Sequence, residues 1–370
     1  MGARSTRLKE QLQAQYSKLN TKVKWSARAE AAAQKQEQGT VYRITKQICG
    51  GQRRGKAPIC SKQEALLTTE KEQEEWWAEH FQEVLNKEAP EKPAAAQDAE
   101  EELDINIEPP TKEEIVEAIR DLKNSKEPGQ DQLNAELFKC HPELAAEILL
   151  PLFAKVWNGE GIPSDWCKGV IIAIPKKGTL SDCNNWRGIT LLSLPSKIFC
   201  KVIVKRLSLA VNEVLQQEQA SFRKGWGCAE HIFSLRNIEQ CREWQRGLYI
   251  NFIDFQKAFD SVHRESLWSN LRAYGIPAHI VRVIKQFYTD FCCSVGGSDL
   301  SFHVKSGVRQ GCVMSALLFN IVIDWVLSRA TEDRRRGIRW TLSTVLEDLD
   351  YADDIALLSH SFSDMQVKTD

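Results

Sequence analysis

Ten residues near the end of the chain, Leu349 to Leu358, set two adjacent carboxylates, Asp353 and Asp354, between two short apolar runs. Apolar runs of that length around a polar turn read as a β-hairpin with the acids at its tip. Asp is common in turns, so the pair alone also has a bland reading. Between hydrophobic strands, however, two adjacent carboxylates repel by a few kcal/mol at roughly 4 Å and an effective dielectric near ~20. A divalent cation would remove that cost.

A second strand signal also ends in an acid. Leu248 to Asp254 alternates so that Leu248, Ile250, Phe252 and Asp254 share one strand face. A carboxylate closing an apolar face is costly unless something cationic meets it. The chain then turns through Phe255 to Asp260 into a helix, where Asp260 can cap or pair with Lys257 or Arg264. A third segment, Ser306 to Cys312, is a Gly-flanked turn leading into an apolar helix over Met314 to Ser328. Its glycines let the backbone approach a substrate closely, with Gln310 able to touch a base pair or a sugar; an ordinary loop before a helix explains it as well.

Taken together, Asp254, Asp353 and Asp354 make a three-carboxylate site for two Mg²⁺ ions. Mg²⁺ takes oxygen ligands and prefers one or two carboxylates plus substrate phosphates, which suits an incoming nucleotide. One ion would activate a primer 3′-hydroxyl, and the other would hold the triphosphate and neutralise the leaving pyrophosphate.

With 370 residues and 42% hydrophobic content, the chain can bury a real core, which argues against a disordered protein. Its longest apolar stretches, Leu144 to Val156 and Cys312 to Val326, are too short and interrupted to span a membrane. The N-terminus is basic and polar, without the apolar segment of a secretory signal. Eleven cysteines, an odd number without matched C-x-x-C pairs, read as thiols of a reducing compartment, the cytoplasm or the nucleus. Cys292 and Cys293 lack a second pair at zinc spacing.

The net charge of -1 hides a segregation. Residues 1–56 carry 13 Lys and Arg against 3 Glu, a net of +10; residues 57–121 carry 6 against 19, a net of -13. The basic arm reads equally as a phosphate-binding segment or as a solvated helical face. Arg7 to Gln47 has a helix-favouring composition with little to pack. A second helix is expected over Ser61 to Leu85, its apolar stripe marked by Trp76, Trp77, His80, Phe81 and Leu85. Glu88 to Pro110 is rich in Pro, Ala and acids and reads as a linker. Thr111 with Glu114 forms a capping box at the start of the next helix. Beyond it, turns at 128–129, 161–163 and 225–227 separate helices from short β-branched runs such as Gly169 to Ile174.

These segments resemble a known family. Phe252 to Val262, Gly307 to Leu318 and Tyr351-Ala-Asp-Asp354 are similar, in order and spacing, to motifs A, B and the Y-x-D-D motif C of reverse transcriptases. Pro175-Lys-Lys-Gly with Asn184 to Leu192, and Glu218 to Gly225, resemble fingers motifs of non-LTR (LINE-type) retrotransposon polymerases, of the RTE-like or jockey-like group. The likeness extends back through Leu67 to Asn86, into the segment that in this family joins endonuclease to polymerase.

The resemblance implies an α+β right-hand fold, an antiparallel palm sheet packed on helices, preceded by a helical N-terminal region. Its parts would be a basic arm over 1–56, an acidic helical segment and linker over 57–110, fingers over 111–247 and a palm over 248–370. It implies an RNA-directed DNA polymerase taking an RNA template, a DNA primer and dNTPs, with Mg²⁺, or Mn²⁺ in its place. Asp254, Asp353 and Asp354 would be the catalytic, metal-binding carboxylates. Phe259 would sit under the nucleotide sugar and exclude a 2′-hydroxyl. Gln310, Gly311 and Arg223 would contact the nucleotide, and Lys176, Lys177, Arg187 and Lys224 would meet nucleic acid. The chain departs from the family pattern at Ser221, usually Gly, and at Ser315-Ala316, usually Ser-Pro. Only residues 355–370 follow motif C, so an absent thumb is expected. The alternative is a catalytically inactive remnant that binds RNA through residues 1–56 and 176–224.

Overall fold

A computed structural model describes residues 59–369, apart from 62–65, 94–95, 177, 224, 241–246, 332–334 and 341–343 and the side chains of 239–240. They belong to the second of two units into which the chain divides, Ile59–Asp370. The basic arm over 1–56, Lys177 and Lys224 lie outside the described residues.

Helices α1 (Glu70–Val84), α2 (Lys112–Arg120), α3 (Ala135–Cys140), α4 (Pro142–Trp157), α5 (Leu194–Val214) and α6 (Cys228–Gln240) occupy the first part. They are followed by α7 (Ala258–Ser261), α8 (Arg264–Ala273), α9 (Ala278–Gln286), α10 (Ser315–Thr331) and α11 (Phe362–Thr369). Strands are β1 (Ile59–Cys60), β2 (Leu66–Leu67), β3 (Lys168–Pro175), β4 (Trp186–Leu191), β5 (Tyr249–Asp254) and β6 (Cys292–Val295). The remaining strands are β7 (Ser301–His303), β8 (Ile338–Arg339), β9 (Val345–Leu346), β10 (Asp348–Tyr351) and β11 (Asp354–Ser359). The mixture is α+β, as expected.

Capping sets two of the helix starts. Thr111 and Glu114 exchange side-chain and backbone hydrogen bonds at the head of α2, as the sequence predicts. The same signature, Thr69 with Glu72, starts α1, so that helix begins nine residues later than the expected Ser61. Its stripe holds in part: Phe81 is buried, with Trp77 stacked on it at a ring-centroid distance of 5.6 Å, and Val84, outside the expected stripe, is buried as well.

Two larger sheets organise the rest. Strands β4, β3, β6 and β7 form a mixed sheet in which β3 and β6 run parallel. Strands β10, β11 and β5 form an antiparallel sheet with β11 in the centre. On one face, Ile253, Ile355 and Leu357 join the main core, which also takes α5, α8, α9 and α10. On the other, Leu349, Ala356 and Leu358 are covered by a smaller cluster with Leu235 and Ile238 of α6 and Ile338 and Leu346 of the β8–β9 hairpin.

β5 reverses one expectation. Because it lies at the sheet edge, the face carrying Ile250, Phe252 and Asp254 stays open, with Phe252 71% exposed. Asp254 therefore remains in contact with water and avoids the desolvation that a buried apolar face would impose.

The expected linker over 88–110 is also corrected. Its described residues form neither helix nor strand, yet they are strapped to the body. Leu103 N–H donates to Gly275 O at 2.6 Å, Trp157 Nε1 donates to Ile107 O at 2.8 Å, and Ile105 is buried. The Arg206 guanidinium donates to the carbonyls of Asn106 and Glu108 while pairing with Glu114. Proline and acid content hid this, since backbone carbonyls in extended chain accept hydrogen bonds whatever the side chain.

Candidate active site

The β10–β11 hairpin turns through Ala352 and Asp353, with Tyr351 and Asp354 as its last paired residues. Ala352 takes a left-handed φ of +60° and is buried, its N–H directed at Gln219 Oε1 at 3.4 Å. Across the next ladder, Asp354 stands directly opposite Asp254. Directly opposed residues of an antiparallel pair share a face, with Cβ atoms about 4.5–5.5 Å apart. Register thus brings the three predicted carboxylates together at one end of the sheet.

Asp254 and Asp354 are exposed, and Asp353 is half-buried. Among the described residues, no three His, Cys, Asp or Glu side chains are gathered closely enough to hold a metal ion. The carboxylates are neighbours by backbone register, and their side chains would have to turn toward one another to share an ion.

Asp254 and Asp353 open onto a cleft of about 510 Å³ that also takes Lys176, Arg187, Phe259 and Gln310. Six of the sequence-predicted site residues thus converge. Asp354 lies beside the cleft without lining it. A larger groove of about 1180 Å³, along the β3–β6 seam near Lys168, Cys292 and Gly297, contains none of them.

Phe259 is held by a stack on Phe319 of α10, ring centroids 4.2 Å apart, and by the edge of Phe222. Its carbonyl accepts from Val308 N–H at 2.8 Å. Gly307, at φ +75°, lies so close to the α7 turn that a Cβ there would stand 2.7 Å from Asp260 Cα. Gln310 is fixed from the other side, since its carbonyl accepts from Thr190 N–H of β4 at 2.8 Å.

Three expectations meet a different arrangement. Gly311 does not line the cleft; its φ of +109° and the absent Cβ let it lie against Thr190, whose carbonyl oxygen would be 2.1 Å from a Cβ. Arg223 does not line it either. Its guanidinium donates to Asn212 Oδ1 and to the carbonyls of Asn212, Gln216 and Gln219, and it stacks over Trp226. Those bonds use four of its five N–H donors, so it braces the segment before α6 instead of meeting phosphate. Asp260 pairs with neither Lys257 nor Arg264. Arg264 instead donates to the carbonyls of Tyr288, Val304, Ser306 and Gly307.

Two cleft residues escaped the sequence reading of the site. Lys257 holds a left-handed backbone, φ +53° and ψ +44°, at the head of α7. Burial, with Lys87 and Lys176 nearby, lowers its ammonium below the usual lysine range. Asp260 accepts from Gln310 Nε2 at 2.7 Å, and burial pushes its carboxyl up to about 6 despite that bond and the pull of Lys257, Arg187 and Lys176. The K-A-F-D spacing after Asp254 was the available signal; strand-to-helix geometry alone aims these two side chains inward.

Comparison with known proteins shows the family. The family model described as reverse transcriptase (RNA-dependent DNA polymerase) matches residues 174–370. The chain is 31% identical over 270 residues to the probable RNA-directed DNA polymerase from transposon BS of Drosophila melanogaster, covering 70% of this chain and 29% of that protein. It is 28% identical over 288 residues to the transposon TX1 uncharacterized 149 kDa protein of Xenopus laevis, covering 74% and 21%. It is 29% identical over 258 residues to the retrovirus-related Pol polyprotein from type-1 retrotransposable element R2 of Popillia japonica, covering 68% and 35%. The chain thus spans about a fifth to a third of the length of these relatives. It belongs to the reverse transcriptase (RNA-dependent DNA polymerase) family, among the polymerases of LINE-type, non-LTR retrotransposons.

Proposed function

We propose that this chain carries the fingers and palm of an RNA-directed DNA polymerase, adding dNTPs to a primer 3′-hydroxyl on an RNA template. The β10-β11-β5 sheet would be palm, and the β4-β3-β6-β7 sheet would be fingers, so that β6 and β7, from the segment expected as palm, join β3 and β4 there. The observation carrying this reading is the register that sets Asp254 opposite Asp354, one residue from Asp353, at the mouth of a cleft walled by Lys176 and Arg187.

The donor set fits a divalent ion: three carboxylates, all hard oxygen ligands, to which no described residue donates a hydrogen bond or brings a cation within 4 Å. Asp254, Asp353 and Asp354 would hold two Mg²⁺, with Mn²⁺ able to substitute. When bound, such ions activate the attacking hydroxyl and stabilise the leaving pyrophosphate. The chain's own groups do the rest. Lys176, Arg187 and Lys257 offset triphosphate charge from the fingers side. Phe259, rigid against Phe319, closes the floor beneath the sugar where a 2′-hydroxyl would project. Gln310 supplies a polar edge.

Primer extension tests this. The purified chain, an RNA template annealed to a DNA primer, a dNTP and Mg²⁺ or Mn²⁺ should give incorporation that Asp353→Asn abolishes. Incorporation surviving that substitution would refute the assigned site. RNA affinity that falls steeply with salt, without any extension, would leave a nucleic-acid-binding protein instead.

A further inference from the structure

We propose that Asp260 is a positioning residue: its carboxylate holds the Gln310 carboxamide in one of its two orientations and so decides which atom that side chain presents to the nucleotide. The proposal rests on the polymerase reading above and names a residue that acts within it.

Gln310 Nε2 lies 2.7 Å from Asp260 Oδ1, and both residues line the cleft with Asp254, Asp353 and Phe259. An ionised carboxylate only accepts hydrogen bonds, so the amide NH₂ must face Asp260. The Gln310 Oε1 is thereby left without a donor among the described residues. A bond to a charged acceptor is roughly twice as strong as a neutral one, enough to hold a side chain with three rotatable bonds.

Both ends of this bond are anchored by backbone. Ser306 Oγ donates to Asp260 O at 3.2 Å, and Gly307 lies against the Asp260 Cα. Thr190 N–H fixes Gln310 O from the opposite sheet. Burial opposes ionisation of Asp260, while Lys257 at the head of α7, Arg187 of β4 and Lys176 after β3 favour its ionised, accepting form; Asp254 and Asp353 line the same cleft. Gln310 therefore offers an acceptor oxygen to a hydroxyl or amino donor of an incoming nucleotide. Turned over, the same amide would set a donor against that donor, leaving both unpaired.

The test measures dTTP affinity of the full chain with Mg²⁺ for wild type, Asp260→Ala, Asp260→Asn, Gln310→Ala and the Asp260→Ala/Gln310→Ala double variant. Thermal melts verify folding. Because the two residues act as a unit, each alanine should weaken binding by about tenfold and the double variant should be no weaker than Gln310→Ala alone. Asp260→Asn, which keeps an acceptor oxygen, should stay within about threefold of wild type. In ¹⁵N spectra without nucleotide, the Gln310 side-chain amide should shift in Asp260→Ala. Losses that multiply in the double variant, or an amide signal unmoved by Asp260→Ala, overturn this proposal while the polymerase reading stands. Wild type that binds no dTTP fails that reading, and this proposal with it.

Discussion

Replacing Gly311 with Ala should test how the cleft is assembled. The new Cβ would stand 2.1 Å from Thr190 O and 3.1 Å from Thr190 C, both backbone atoms that cannot swing aside. Overpacking that moves backbone costs about 1–3 kcal/mol. The φ of +109° lies outside the region a side chain tolerates, which adds about 1–3 kcal/mol. Separating the two segments also stretches the Thr190 N–H to Gln310 O bond, worth about 1 kcal/mol. The total, about 3–7 kcal/mol, is a large share of the ~5–15 kcal/mol that stabilises an ordinary domain. Urea unfolding followed by circular dichroism measures it, with Gly159→Ala as control. Gly159 also has a positive φ, +84°, but nothing lies within 4 Å of its Cβ position. The control should lose only about 1–3 kcal/mol of backbone strain. Equal losses in the two variants would refute the close approach between β4 and the Gln310 turn.

Two further outcomes follow from named contacts. Arg223→Lys should cost about 2–3 kcal/mol in urea unfolding, because an ammonium cannot reproduce a planar fork bonded to three carbonyls and an amide; nucleotide affinity should not change, and a large affinity loss would return Arg223 to the site. Asp348, buried on β10, is pushed up to about 7 by burial, with Glu218 next in effect and Asp350 also held high. A raised folded value favours the protonated fold, so this contribution is present below the ordinary value of 3.8 and is lost as pH rises through about 7. The wild-type urea midpoint should therefore fall as pH rises from about 4 to about 7 and level off above that, and fall less in Asp348→Asn; identical pH slopes would contradict that environment.

Much of the site was legible because it is written in short-range pattern. The period-two alternation of Leu248 to Asp254 and the apolar runs around Asp353 determine two strands and a hairpin, and a hairpin fixes its own register. The pairing of Asp254 with Asp354 is a long-range register that only the assembled sheet supplies. Arg223 shows the opposite limit. Its motif position suggests phosphate, yet five donors in a fixed fork are equally suited to loop carbonyls, and which partner is near depends on tertiary packing. The strap over 88–110 carries no local signal for a similar reason, since its anchors are Trp157, Arg206 and Gly275, far along the chain. For Asp260 the sequence spacing points to local partners, a cap or an ion pair, whereas its bond partner lies fifty residues away.

Manganese binding by the intact chain in the presence of dTTP, followed by the electron paramagnetic resonance of free Mn²⁺, tests the convergence of the carboxylates most directly. Wild type should withdraw Mn²⁺ saturably. Asp254→Asn and Asp354→Asn, on facing strands, should each weaken that binding by at least about tenfold, because either leaves the ion one carboxylate short. Undiminished binding by both variants would place the ion elsewhere and contradict the account.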